Sequence, residues 1–383
     1  MSSKFFMFML FFALVILACN FTATPALIPT NTASAITAAA STSIPTATNT
    51  PLVPSATPMP TIAHSDTLAA TATNPVVPVP VLASNNYIDD RSMPSQVIVS
   101  LYNAINRHEY LRAYSYWTDP ATSLGDFSAY AAGYQATASV DLVFGQITGD
   151  AGMSQVDYTI PVILKATDKN GVHTNFAACY VVHEVAPDVL GSPPFYPMGI
   201  NRGSAALSDI AVSDASALAT TCSGYPRGIG LPSPVSGSSL NIDKTNFIDT
   251  RSGPVETVSS LLNALNRKQF VRAYSYFQDP ASFPGPYETY AAGYADTDVI
   301  SVIFGSFQSE GAAGSLYYKL PMALHVLTTS SAQQTFVGCY TLRLAQPSVQ
   351  GTPPFQPMGI LSGKFTQVSI STDVTPLLPT ACN

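Results

Sequence analysis

From residue 98 onward the apolar positions recur at helical spacing. Ile98, Leu101, Tyr102 and Ile105 fall at i, i+3, i+4 and i+7, and Ser92 with Pro94 suits a helix start just ahead of them. A second stripe, Tyr110, Ala113, Tyr114 and Trp117, stops at Asp119-Pro120, and a third runs through Phe127, Tyr130, Ala131 and Tyr134. The period then changes to two. Val140, Leu142 and Phe144 alternate with polar or smaller residues, as do Val156 to Leu164 and Phe176 to Val182, and a last strand is expected from about Gly199 to Val212. Three amphipathic helices ahead of an antiparallel sheet of about four strands predict an α+β unit. Pro161 lies on the opposite parity from the apolar face, which predicts an edge or a bulge in the second strand.

The whole pattern occurs twice. Residues 88–222 align without a gap with 248–382. Ile88-Asp89-Asp90-Arg91-Ser92 matches Ile248-Asp249-Thr250-Arg251-Ser252, and Arg112 to Tyr116 matches Arg272 to Tyr276. Tyr130 to Tyr134 matches Tyr290 to Tyr294, and Pro193-Pro194-Phe195 with Pro197-Met198-Gly199-Ile200 recurs from Pro353 to Ile360. Each copy has the length of one domain, so the chain divides into repeat 1 over 84–222, a Gly/Pro/Ser linker over 223–245 and repeat 2 over 246–383.

The N-terminal region has a different character. Lys4 and the apolar run from Phe5 to Ala18 read as a signal peptide (1–18), too short to span a bilayer. Ile16-Leu17-Ala18-Cys19 looks like a bacterial lipobox, in which Cys19 takes the lipid. Residues 19–83 are Thr, Pro, Ser and Ala-rich, a composition that predicts a disordered stalk reaching about 45 Å. These features predict an exported protein, lipid-anchored to the cell membrane and facing its extracellular or periplasmic side.

Cysteine usage agrees with that compartment. With Cys19 set aside, four of the five cysteines remain, Cys179 and Cys222 in one copy and Cys339 and Cys382 at the same places in the other. Identical placement predicts one disulfide within each copy. Two isolated cysteines lack the paired spacing of a zinc site.

The stretch Val99-Ser100-Leu101-Tyr102-Asn103-Ala104-Ile105-Asn106-Arg107-His108-Glu109-Tyr110-Leu111-Arg112-Ala113-Tyr114, repeated from Ser259 to Tyr274, resembles the opening of the NTF2-like superfamily: a helix ending in an Asn-containing turn, then a second helix with Ala-Tyr facing inward. The resemblance implies two tandem NTF2-like domains, each with helices packed on a curved sheet. Known members include isomerases, dehydratases, ligand-binding modules and catalytically silent envelope domains, so the fold alone leaves the activity open. None of their catalytic motifs is matched here.

Charge narrows the field. Only 10% of residues are charged and the formal net charge is -7, which disfavours nucleic acid. No histidine is shared between the copies, so no metal and no cofactor is expected. The ionisable residues common to both are Asp89, Arg91, Arg107, Arg112 and Asp119, with Asp249, Arg251, Arg267, Arg272 and Asp279. Asp119 has two readings, a pocket acid among tyrosines or a turn residue before Pro120. The candidate ligand pocket is Tyr114, Tyr116, Asp119, Tyr130 and Tyr134, with Tyr274, Tyr276, Asp279, Tyr290 and Tyr294. Phe195 and Phe355 are candidate contact points on their Pro-rich loops. Three functions follow: a non-enzymatic lipoprotein whose paired domains bind a small ligand or an envelope partner, an isomerase or hydratase using Asp119 and Asp279, or a structural unit in which the copies pack as an internal pseudo-dimer.

Overall fold

The computed structural model describes residues 86–225, 228–230 and 240–383, with the backbone of Val77–Pro78. The expected signal peptide, the Cys19 lipidation site and all of the stalk but Val77–Pro78 lie outside the described residues.

In repeat 1, helices α1 (Pro94–Asn106), α2 (Tyr110–Tyr114), α3 (Pro120–Leu124) and α4 (Phe127–Gly133) precede five strands. The strands are β1 (Thr137–Phe144), β2 (Thr148–Gly152), β3 (Gln155–Asp168), β4 (His173–Val185) and β5 (Gly199–Ser208), followed by α5 (Asp214–Thr221). Repeat 2 follows the same order with α6 (Pro254–Asn266), α7 (Phe270–Tyr274) and α8 (Tyr287–Gly293). Its strands are β6 (Thr297–Phe304), β7 (Gln308–Ala312), β8 (Ser315–Thr328), β9 (Gln333–Ala345) and β10 (Gly359–Val368). A 3-10 turn at Thr375–Thr380 stands where repeat 1 has α5.

Each sheet is antiparallel. In repeat 1, β5 pairs with β4 and β4 with β3, while the far edge of β3 is shared end to end by β1 and β2. Two short segments extend the sheet: Val77–Pro78 pairs with β1 and Ile229–Gly230 with β2. The chain is therefore α+β with two sheets built on five strands each, rather than about four. The strand missing from the periodicity is β2, Thr-Gly-Asp-Ala-Gly, which has no apolar alternation to reveal it. Helices α3 and α5 were likewise unmarked by any stripe, and β5 stops at Ser208, short of Val212.

The irregularity expected at Pro161 is present: residues 145–147 stand opposite only 160–161, so the register shifts by one between β1 and β2. Pro161 lies in the middle of β3, and the Gly145 amide donates to its carbonyl at 2.9 Å. Its nitrogen therefore faces the gap between the end of β1 at Phe144 and the start of β2 at Thr148, where no ladder bond is required of it. Pro321 repeats the arrangement, with the Gly305 amide at 2.8 Å.

Helix α1 departs from the amphipathic expectation, because eleven of its thirteen residues are buried. Its apolar stripe packs against the sheet through Val140, Leu142, Ile160 and Val182. Three of its polar residues, Ser100, Asn103 and Asn106, bind main chain. The Asn106 side chain accepts from the Val140 amide at 2.8 Å and donates to the Val140 carbonyl at 3.0 Å, pairing with β1 as a strand would. Asn266 does the same to Ile300 at 2.7 and 2.9 Å. The helix ends in a Schellman turn: the His108 amide reaches the Ile105 carbonyl and the Glu109 amide that of Ala104, with His108 at φ 57°. Lys268 takes the same left-handed conformation at φ 60°.

Both disulfides are formed as expected, Cys179–Cys222 and Cys339–Cys382, each across 43 residues. Loops of this length contribute roughly 4 kcal/mol each by restricting the unfolded chain.

Candidate functional site

The repeated Ile-Asp-x-Arg-Ser segments meet each other. Asp90 and Thr250 form an antiparallel bridge, flanked by two reciprocal bonds, Arg91 amide to Asp249 carbonyl and Arg251 amide to Asp89 carbonyl, both 2.7 Å. Side chains complete the exchange. The Asp89 amide donates to Ser252 Oγ at 2.9 Å, and the Asp249 amide to Ser92 Oγ at 2.8 Å. Each bond has its partner under exchange of the repeats, so the clasp carries a local two-fold axis.

Each segment is held from behind by its own repeat. Ser100 on α1 accepts from the Asp90 amide at 2.9 Å, and Asn103 Oδ1 accepts from the Ile88 amide at 3.0 Å. Arg112, fully buried, binds the Ile88 carbonyl and Asn103 Oδ1, and pairs with Glu109 at 2.6 Å. Arg272 repeats these bonds, with Gln269 in place of Glu109 at 2.7 Å. Burial opposes the charge on Arg112, but the phenols of Tyr116 and Tyr87 and the carboxylates of Glu109 and Asp89 outweigh it, so its pKa is raised and it stays a cation.

On the two-fold axis lies a cleft of about 260 Å³. It is lined in equivalent pairs by Asp89 and Asp249, Arg91 and Arg251, Ser115 and Ser275, Phe195 and Phe355, Pro197 and Pro357. Arg91 donates to the carbonyls of Met198 at 2.8 Å and Ser115 at 3.0 Å, and lies over the Tyr116 ring at 4.6 Å. Arg251 holds Met358 and Ser275 in the same way. These arginines thus fix the Pro-Met-Gly loops that carry the phenylalanines, and each retains N–H donors beyond those in use.

The residues proposed from the sequence do not converge on one pocket. Asp119 is exposed and its carboxylate accepts from the Thr122 amide at 3.2 Å, capping α3. Asp279 is also exposed and accepts from Ser282 Oγ at 2.6 Å. Tyr116 and Tyr276 are fully buried in the clasp, donating to Asp89 at 2.9 Å and Asp249 at 2.7 Å. Tyr114 and Tyr274 tie down the loops at Gly125 and Gly285. Tyr130 and Tyr134 pack edge-on at 5.2 Å and Tyr290 and Tyr294 at 5.1 Å, all four phenols raised in pKa by burial. Repeat 1 adds a Tyr102–Tyr180 hydroxyl pair at 2.6 Å that sequence reasoning missed, since Tyr102 sits in an ordinary core stripe.

Searched against known protein families, curated proteins and solved structures, the chain matches none. Its residues alone therefore carry the functional argument. Among the described residues no group of three or more His, Cys, Asp or Glu side chains is placed to hold a metal ion.

The cleft residues were legible in part. Phe195, Phe355 and the shared Asp and Arg pairs all stood out by recurrence, but nothing in a linear sequence says that two equivalent segments pair with each other. Ser92 and Ser252 also recur, but their place just ahead of a helix already accounted for them, whereas the N-caps are Met93 and Gly253 and the serines bond across the clasp instead.

Proposed function

We propose that the chain is a non-enzymatic, exported binding protein of NTF2-like type, anchored to the membrane by lipid on Cys19, whose two repeats act as one internal pseudo-dimer. The observation that carries this reading is the axial cleft. Its volume approaches the small-molecule range, its aromatic and proline walls come from both repeats, and its polar groups are already fixed in place. Asp89 and Asp249 each accept from a buried tyrosine, and Arg91 and Arg251 are held by carbonyls. Proton transfer would have to break these bonds, whereas binding uses them as they stand. The expected ligand is small, with an apolar body seated between Phe195 and Phe355 and an acceptor group toward the two arginines.

Native mass spectrometry of the exported chain, set beside its denatured mass, tests the reading. A bound mass that is lost on denaturation, and is absent from the Phe195→Ala/Phe355→Ala double variant, is the expected result. A bare polypeptide mass, or an adduct indifferent to both substitutions, would remove the cleft as the binding site. The anchor is tested separately: Cys19→Ser should move the protein from the detergent phase to the aqueous phase.

A further inference from the structure

The two sheets are not covered alike. In repeat 1 the outer edge of β1 is paired with the stalk, Val77 opposite Phe144 and Pro78 opposite Val143, and the edge of β2 is paired with Ile229–Gly230. Among the described residues no strand pairs with the equivalent edges of β6 and β7. Burial differs in the same sense, with Leu218 of α5 adding to the cover over Val143. Val143 and Ile147 are 5% and 4% exposed, whereas their equivalents Ile303 and Phe307 are 43% and 46% exposed. Leu142 and Phe144 are buried, and Val302 and Phe304 only half-buried.

An unpaired strand edge flanked by large apolar side chains is a template for another strand. The chemistry that fits it is given by the occupied seat, which holds Val77–Pro78, a pair that stands in the sequence Pro75-Val76-Val77-Pro78-Val79-Pro80. The stretch equivalent to it before repeat 2, residues 235–240, reads Val-Ser-Gly-Ser-Ser-Leu and supplies little apolar surface. We propose that β6 of repeat 2 is a strand-addition site for an extended, uncharged, proline-spaced aliphatic segment of another polypeptide. This site is separate from the axial cleft and stands or falls without it. Prolines are tolerated in such a segment because an added edge strand needs ladder bonds on one side only.

A fluorescent peptide of residues 74–82, titrated into the full chain, tests the site. Saturable binding with one peptide per chain is expected, weakened at least tenfold by Ile303→Lys and by Phe307→Ser, and unchanged by Val349→Lys, an exposed residue away from β6. Both edge substitutions replace exposed side chains, and retained circular dichroism and disulfides confirm that the variants are folded. Sedimentation showing self-association that the peptide dissolves would support the site with a second copy as donor. Absence of saturable binding up to millimolar peptide, or equal binding by the two edge variants, would overturn the proposal.

Discussion

The Tyr87 hydroxyl donates to Asp89 Oδ2 at 3.4 Å, while Phe247 at the equivalent position leaves Asp249 Oδ2 buried and without a partner among the described residues. Both rings do the same second job, lying 4.5 Å beneath Arg112 and Arg272. The hydroxyl is thus the only chemical difference. Phe247→Tyr should stabilise the protein by about 1 kcal/mol and Tyr87→Phe should destabilise it by a similar amount, read from urea unfolding midpoints at constant slope.

Asn106 and Asn266 each satisfy two buried main-chain groups on the first strand of their sheet. Replacement by Ala leaves an amide and a carbonyl unpaired in the core. A loss of about 2 to 4 kcal/mol is expected from either substitution. Asp is expected to rescue poorly, because a carboxylate has no N–H for the Val140 or Ile300 carbonyl. Denaturant melts of the Ala and Asp variants together separate lost bonding from lost packing.

Asp90 gives the clasp a pH dependence. Burial raises its pKa, with the Asp249 and Asp89 carboxylates adding to the shift and bonds from Ser92 opposing it. A carboxyl with a raised folded pKa binds more protons when folded than when unfolded, so stability falls as pH rises from the ordinary carboxylate value through the raised one. Asp90→Asn should remove that fall and be more stable than the parent near neutral pH. Unfolding midpoints of both proteins from pH 3 to 7 would show parallel curves if Asp90 contributes nothing.

His108 and Lys268 hold left-handed backbone at the ends of α1 and α6. Non-glycine residues pay roughly 1 to 2 kcal/mol for that conformation, and glycine returns part of the gain as entropy in the unfolded chain. Each Gly substitution should therefore stabilise by about 0.5 to 1 kcal/mol, and the two effects should add, since the turns lie in different repeats. A thermal melt of the double variant tests both statements.

Helical period, the switch to period two, the duplication and the disulfides were all readable because each leaves a regular mark. Elements without such a mark were not. The strand Thr148–Gly152 is polar and glycine-containing, and its pairing is dictated by the neighbouring β3 rather than by its own side chains. The role of Asn103 and Asn106 was hidden by the assumption that the polar side of a helix faces water, whereas here it faces main chain. Asp119 shows the reverse case: a carboxylate shared by both copies whose position beside proline already accounts for it as a cap.

Ser92, Ser252 and the paired Asp-x-Arg backbones make an interface whose halves are interchangeable, the pattern of an isologous dimer. Joining the halves in one chain makes their meeting independent of protein concentration. It also releases them from identity. A true homodimer must accept every substitution twice, once on each side of its axis; this chain accepts them singly, as Tyr87 against Phe247, Glu109 against Gln269 and Asp90 against Thr250 demonstrate. Covalent linkage thus converts a symmetric seam into one whose two sides are able to specialise while the stoichiometry stays fixed.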